Sequence, residues 1–286
     1  MPSDRRIAAA FLAACSDELT ALKPGNVHRY ADGHGMTVAD FAASAAAAAP
    51  AMAGIGSGVG QRIGEAVAAS WARVGCNTNL GIVLLCAPLA LAAERLAARA
   101  GRVAAADLAR ATATVLDGLT IEDAALAYRA IAMANPGGLG RLAREDVREP
   151  PQRTLREAMG LAADRDRIAR QYVTGFADIF GFALPCFDRQ IAAGATAECA
   201  TSGLFLALLA RWPDSHLVRK FGDSVAQTVT REAGQYYAEY ISWAAPASLR
   251  RDLLDWDSRL KAQGLNPGSS ADLTVATLFA YHLRQP

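Results

Sequence analysis

An all-α fold is what this sequence predicts. Apolar residues recur at helical spacing along almost the whole chain, alanine-rich amphipathic stretches dominate, and no run of alternating β-branched residues is long enough to propose a sheet. Three threonines, Thr37, Thr120 and Thr154, each stand three residues before an acid, the pattern of a helix N-terminus. At ordinary helix lengths the chain accommodates roughly ten to twelve helices, in one compact multi-helix domain over residues 1–286.

The elements follow in order. RRIAAAFLAAC joins two arginines to a short apolar run ending in Leu-Ala-Ala-Cys, features shared with a signal peptide. Ile7, Phe11, Cys15, Leu19 and Leu22 carry a helical spacing straight through that point, which predicts one amphipathic helix instead. KPGNVHR at 23–29 then breaks the chain, and Thr37-x-x-Asp40 starts a helix near residue 38. NTNLG at 77–81 leads into GIVLLCAPLALAA, residues 81–93 with Pro88 inside. That run falls short of the ~20 residues a membrane helix needs and predicts a buried core helix. Thr120-x-x-Asp123 and Thr154-x-x-Glu157 start helices near 121 and 155, the last as a full capping box and the two Asp pairs as analogues of it. Between them residues 135–153, NPGGLGRLAREDVREPPQR, form the longest break, and such a break inside a compact domain is often functional.

Composition narrows the function classes. Hydrophobic residues make up 52% and charged residues 20%, with a formal net charge of +1, the profile of an ordinary globular protein. Nothing in that balance calls for nucleic acid or an anionic membrane. Five cysteines without a C-x-x-C pair argue against a disulfide framework and for a reducing cytoplasm. His28, His34, His216 and His282 show no zinc spacing, and no G-x-S-x-G, Walker A or G-x-G-x-x-G element is present.

Polar side chains and glycines gather instead at four helix junctions: KPGNVHR, NTNLG, NPGGLG followed by Glu145 and Asp146, and LNPGSSADL at 265–273. A helix N-terminus offers unpaired N–H groups and positive partial charge, and glycine lets backbone approach an anion, so several such junctions on one pocket would make a polyphosphate cradle. Each taken singly is also an ordinary turn or cap. Pro-Gly occurs three times, each time beside an asparagine, Asn26, Asn135 or Asn266. Asn77, Thr78 and Asn79 either cap the apolar helix or bind a ligand at its start. Carboxylates suited to Mg²⁺ are scattered: Glu65, Asp146, Asp164, Asp166, Asp223 and Asp272. Within AADRDRIARQY, Asp164 and Asp166 read as a solvated helix face or ion pairs.

In this order the segments KPGNV, the acid Glu65 in IGEAV, NTNLG, PDSHLVRKFG at 213–222 and the terminal NPGSSADL resemble the triphosphoribosyl-dephospho-coenzyme A synthase family. That resemblance implies a transferase that takes ATP, expels adenine and joins C1′ of the triphosphoribosyl group to an acceptor hydroxyl. The donor site it implies comprises Lys23, Asn26, Arg29, Asn77, Asn79, Lys220 and Asn266, with Lys23 and Arg29 on phosphate. Asp223 or Asp272 would hold Mg²⁺ or act as base, Glu65 is a further candidate for the metal, and His28 either protonates departing adenine or bridges a loop.

Where the coenzyme A branch carries Asn-Thr-His-Lys-Gly, this chain has Asn77-Thr78-Asn79-Leu80-Gly81. PGNVHR, NTNLG and NPGGLG are similar to a branch of the family from methanogens and methylotrophs. The acceptor expected from that likeness is a precursor of tetrahydromethanopterin, which carries an α-ribofuranosyl unit. ATP is a β-glycoside, so one in-line displacement yields the α linkage; phosphoribosyl pyrophosphate is the alternative donor. From other classes, a non-catalytic nucleotide-binding protein or an ATP phosphohydrolase would use the same cradle. Ala- and Leu-rich helices with small residues suit close packing, including a homodimer.

Overall fold

In the computed structural model, residues 3–97, 103–135, 146–242 and 247–285 are described. Among them the chain forms fourteen α-helices and one π turn, with no strand beyond isolated bridges at His28–Ala31 and Gly33–Met36. The count exceeds the ten to twelve expected because short helices join the longer ones: beside α7 (Leu155–Gly160), whose start the Thr154 cap marks, α8 (Arg167–Thr174) and α11 (Ser215–Phe221) are 8 and 7 residues long, too short to show a periodic apolar face.

Helix α1 (Ser3–Thr20) runs unbroken through the signal-like stretch, with Ile7, Phe11, Cys15 and Leu19 buried. The three Thr-led starts open α2 (Val38–Met52), α6 (Ile121–Ala134) and α7. All three are full capping boxes, because Asp40 and Asp123 reach back to the cap N–H as Glu157 does. Between these lie α3 (Val59–Val74), α4 (Leu80–Ala97) and α5 (Ala105–Asp117). After α8 come the π turn Ile179–Ala183, α9 (Leu184–Ala192), α10 (Ala197–Arg211), α12 (Asp223–Ser242), α13 (Ala247–Ala262) and α14 (Gly268–Leu283).

The core centres on α1, α4 and α14. Apolar α4, the predicted buried helix, packs against α14 and α1, and Phe11 meets Phe279 edge-on at 5.8 Å. A second apolar group joins α10 to α14. Helix α10 serves both, turning Leu204 and Leu208 to the first and Phe205, Leu206 and Leu209 to the second, as a helix apolar all round must. On α13, Trp256 stacks on Tyr236 of α12 at 4.8 Å and donates to Glu232, which holds the neighbouring Asp257 against the KPG turn.

Two of the Pro-Gly turns interlock. Gly25 adopts φ +84°, and a Cβ there would lie 2.8 Å from Pro267 Cδ and 2.9 Å from the Leu265 carbonyl, so only glycine lets the 23–26 and 265–268 turns touch. Asn26 Nδ2 donates to Asn266 Oδ1 across the contact at 2.8 Å. The third turn, NPGGLG from Pro136, lies with Glu145 outside the described residues; Asn135 before it ends α6 in the left-handed conformation at φ 41°.

Candidate active site

One cleft of about 690 Å³ opens among α1, α4, α6, α7, α8, α11 and α14. The chain starts α4, α8 and α14 on its wall, so three helix N-termini point their positive ends into it. Asn77 Oδ1 accepts the Leu80 N–H at 3.2 Å and caps α4, while Asp166 caps α8 through the N–H groups of Ile168 and Ala169. Asp214, buried, caps α11 through His216 and Leu217 and takes both the N–H and hydroxyl of Ser270 at 2.7 and 2.8 Å. One carboxylate thus ties α11 to the first turn of α14. Burial pushes its carboxyl upward against those hydrogen bonds, which favour the ionised form.

Of the residues singled out in the sequence, Asn26, Asn77, Thr78, Asn135, Asp146, Asp166, Lys220, Asn266 and Asp272 line this cleft. Lys23, His28, Arg29, Glu65, Asn79 and Asp223 do not. Lys23 is 0% exposed, with its ammonium hydrogens committed to Glu18 Oε1, Asn26 Oδ1 at 3.0 Å and the Val27 carbonyl at 2.8 Å. A saturated, buried ammonium has no donor left for a phosphate; its work is to hold Glu18 and Asn26. Arg29 sits outside, paired with Glu198 at 3.0 Å and stacked 4.7 Å over Tyr30. His28 is fully buried and bridges the loop, its Nδ1 taking the Tyr30 N–H at 3.3 Å and its Nε2 lying 3.2 Å from Asp257. Asn79 turns inward to Ser70 at 2.9 Å and faces a separate chamber of about 10 Å³ behind Glu18. Glu65 and Asp223 are exposed and off the cleft, accepting from Gln61 and Gln227 respectively.

Sequence reasoning passed over Glu18, His34, Arg165, His216 and Arg219 as site residues, all of which face the cleft. Asp166, read as a solvated helix position, caps α8 and pairs with Arg219 at 3.3 Å; Asp164 is exposed. His216 and Arg219 stand inside PDSHLVRKFG, so the motif carried a signal that their residue types alone did not. Glu18 gives no local sign: it is one polar residue at the end of an amphipathic helix.

The cleft carries both charges. Arg165 and the exposed Lys220 line it without an ion-pair partner among the described residues. Glu18, Asp166 and Asp272 line it as carboxylates. Tyr128, Ile131, Leu155 and Met159 supply an apolar side. Asp272 accepts no hydrogen bond among the described residues, and burial, with Asp214, Glu18 and Asp166 nearby, holds its carboxyl well above the usual carboxylate range. Its carboxylate occupies the space that Gly81 leaves by having no side chain.

Two stability effects follow from these placements. Lys23→Met leaves the buried Glu18 unpaired and is expected to cost about 3–5 kcal/mol in urea unfolding, with part of that recovered in the Lys23→Met, Glu18→Leu double variant. His216 is pushed down to about 4 by burial, with Arg219, Lys220 and His34 adding repulsion. Below about 6.5 the unfolded chain binds a proton that the folded chain refuses. Stability should therefore fall as pH drops from about 6.5 towards 4, and His216→Asn should flatten that slope in thermal melts.

An all-α protein with a cleft of nucleotide size lined by both cations and carboxylates is what the fold and site define. The profile of the ATP:dephospho-CoA triphosphoribosyl transferase family matches residues 4–286, and the chain belongs to that family. It is 36% identical over 110 residues to 2-(5''-triphosphoribosyl)-3'-dephosphocoenzyme-A synthase of Pectobacterium atrosepticum, a match covering 38% of this chain and 34% of that protein. A Pectobacterium carotovorum protein, named as a probable synthase of the same kind, is 35% identical over 129 residues, covering 45% of this chain and 39% of its own. The chain therefore spans under two fifths of the length of these curated relatives. A crystal structure of a candidate triphosphoribosyl-dephospho-coA synthase from Archaeoglobus fulgidus shares the fold, with a TM-score of 0.65 and 24% identity over 85% of this chain and 98% of that one. No helix among the described residues is long and apolar enough to cross a membrane.

Proposed function

We propose that this protein transfers the triphosphoribosyl unit of ATP to a hydroxyl of dephospho-coenzyme A with release of adenine. The observation that carries the reading is a cleft that brings together Asp272, which accepts no hydrogen bond among the described residues, the cations Arg165 and Lys220, which have no ion-pair partner among them, and the starts of three helices. Polyphosphate fits the cations Arg165 and Lys220, and adenine fits the apolar side at Tyr128, Ile131, Leu155 and Met159. Lys23 serves this site from behind, by fixing Glu18 and Asn26.

Magnesium belongs to the proposal. Among the described residues no three His, Cys, Asp or Glu side chains converge as a metal centre. Mg²⁺ in nucleotide sites needs only one or two carboxylates beside phosphates and waters, and Asp272, crowded by three other carboxylates, is the group a cation would relieve. When bound, the ion would neutralise polyphosphate charge. Removing it with EDTA should abolish adenine release and weaken ATP binding measured by calorimetry.

One observation favours a second acceptor. At the start of α4 this chain turns Asn79 inward and places buried Leu80 on the cleft, so the motif brings no charge to the wall. An acceptor less anionic than dephospho-coenzyme A, a ribitol-bearing tetrahydromethanopterin precursor, suits that wall. Mass spectrometry of the protein with Mg-ATP and each acceptor in turn tests both: adenine release that rises with one acceptor names it. Intact ATP with both would overturn ribosyl transfer from ATP and leave phosphoribosyl pyrophosphate as donor or nucleotide binding alone.

A further inference from the structure

Resting on the reading of the cleft as a ribosyl-transfer site, we propose that Glu18 is its general base, held in place by Lys23. Glu18 ends α1 at the cleft and is 3% exposed. Oε1 accepts from Lys23, whereas Oε2 has no hydrogen-bond partner among the described residues. A carboxylate this buried stays ionised only beside a fixed cation, and Lys23 supplies one that cannot leave: its other hydrogens are tied to Asn26 and the Val27 carbonyl.

The two open carboxylates of the cleft differ in a way that separates their tasks. Asp272 has other carboxylates around it, so its natural partner is a cation arriving with the nucleotide. Glu18 already has its counter-ion on the side away from the ligand, which leaves its free oxygen available for a proton. Burial raises the affinity of Glu18 for that proton, and Lys23 opposes the rise. An arginine at position 23 would present a planar fork to a pocket shaped around three separately directed acceptors; lysine's compact ammonium meets all three.

In the step assigned here, Glu18 Oε2 takes the proton of the acceptor hydroxyl. The freed oxygen pair forms the bond to C1′, the C1′–N9 bond breaks with its pair going to adenine, and adenine takes a proton from solvent. The proton on Glu18 returns to solvent after product leaves, so the cycle closes without another reactant.

Calorimetry with Mg-ATP and single-turnover adenine release across pH test the assignment. Because Glu18→Gln alone leaves Lys23 unpaired, the Glu18→Gln, Lys23→Gln double variant, which removes both charges, is measured beside it. The expected result is ATP binding within about threefold of wild type in both variants, adenine release slowed about 100-fold or more, and partial activity with a displaced acid limb in Glu18→Asp. A double variant that keeps its rate within about threefold overturns the assignment, and so does loss of ATP binding that accounts for the whole defect, since Glu18 would then hold donor. Wild-type protein that binds Mg-ATP but leaves it intact with either acceptor overturns the ribosyl-transfer reading itself, and the base with it.

Discussion

Asp272→Asn is expected to stabilise the protein and to remove its activity. Asp272 is partly buried, accepts no hydrogen bond among the described residues and lies near Asp214, Glu18 and Asp166, with Arg219 and Lys23 among the charges that oppose them. Ionised, it costs the folded state; as an amide of the same shape it does not. A gain of about 1–2 kcal/mol in urea unfolding at neutral pH is expected, of the size seen when functional strain is relieved. The sign follows from proton linkage: the folded chain holds the Asp272 proton more tightly than the unfolded chain, so ionisation destabilises the fold at pH above the unfolded value of about 3.9. The gap between variant and wild type should be widest at neutral pH and close as pH falls towards 4. Adenine release should drop about 100-fold or more. Unchanged stability with full activity would remove Asp272 from the site.

Gly81→Ala is the second large effect, reached without touching a polar group. A Cβ at Gly81 would fall on the carboxylate of Asp272, 2.5 Å from its Cγ, and 2.8 Å from Ile168 Cδ1. The Asp272 side chain can rotate away, so the clash displaces the functional group and not the backbone. Gly81 is the second residue of α4, and alanine favours a helix over glycine by up to about 1 kcal/mol. Thermal stability should therefore change by little, while adenine release falls about 100-fold, the usual loss when a reacting group moves by an ångström. A variant that unfolds, or one that works normally, would show that Asp272 does not depend on the space glycine leaves.

Much of the fold was legible along the chain because the forces that decide it are local. Thr37, Thr120 and Thr154 mark helix starts at Val38, Ile121 and Leu155 because a capping box spans four residues. The spacing of Ile7, Phe11, Cys15 and Leu19 placed α1 across a signal-like stretch because burial follows the helical period. The short helices α8 and α11 escaped notice for the converse reason: they carry too few residues for a period, and tertiary contacts hold them.

The site divides in the same way. Asn26, Asn77, Lys220, Asn266 and Asp272 could be named because glycine, proline and asparagine at helix junctions have a limited set of uses. Lys23 and Glu18 show where that reasoning stops. In the sequence Lys23 is a cation beside a turn and Glu18 an ordinary polar residue of α1. The chain determined the helices, their caps and the glycines that allow close approach, each set by residues within a few positions of one another. Only the packing of α1 beneath the 23–26 turn decided that Lys23 faces inward to Glu18 while Arg165 and Lys220 face the cleft. A charge's partner is whatever the fold brings within a few ångströms, and at that range solvation and Coulomb energy depend on position in space and not on position in the chain.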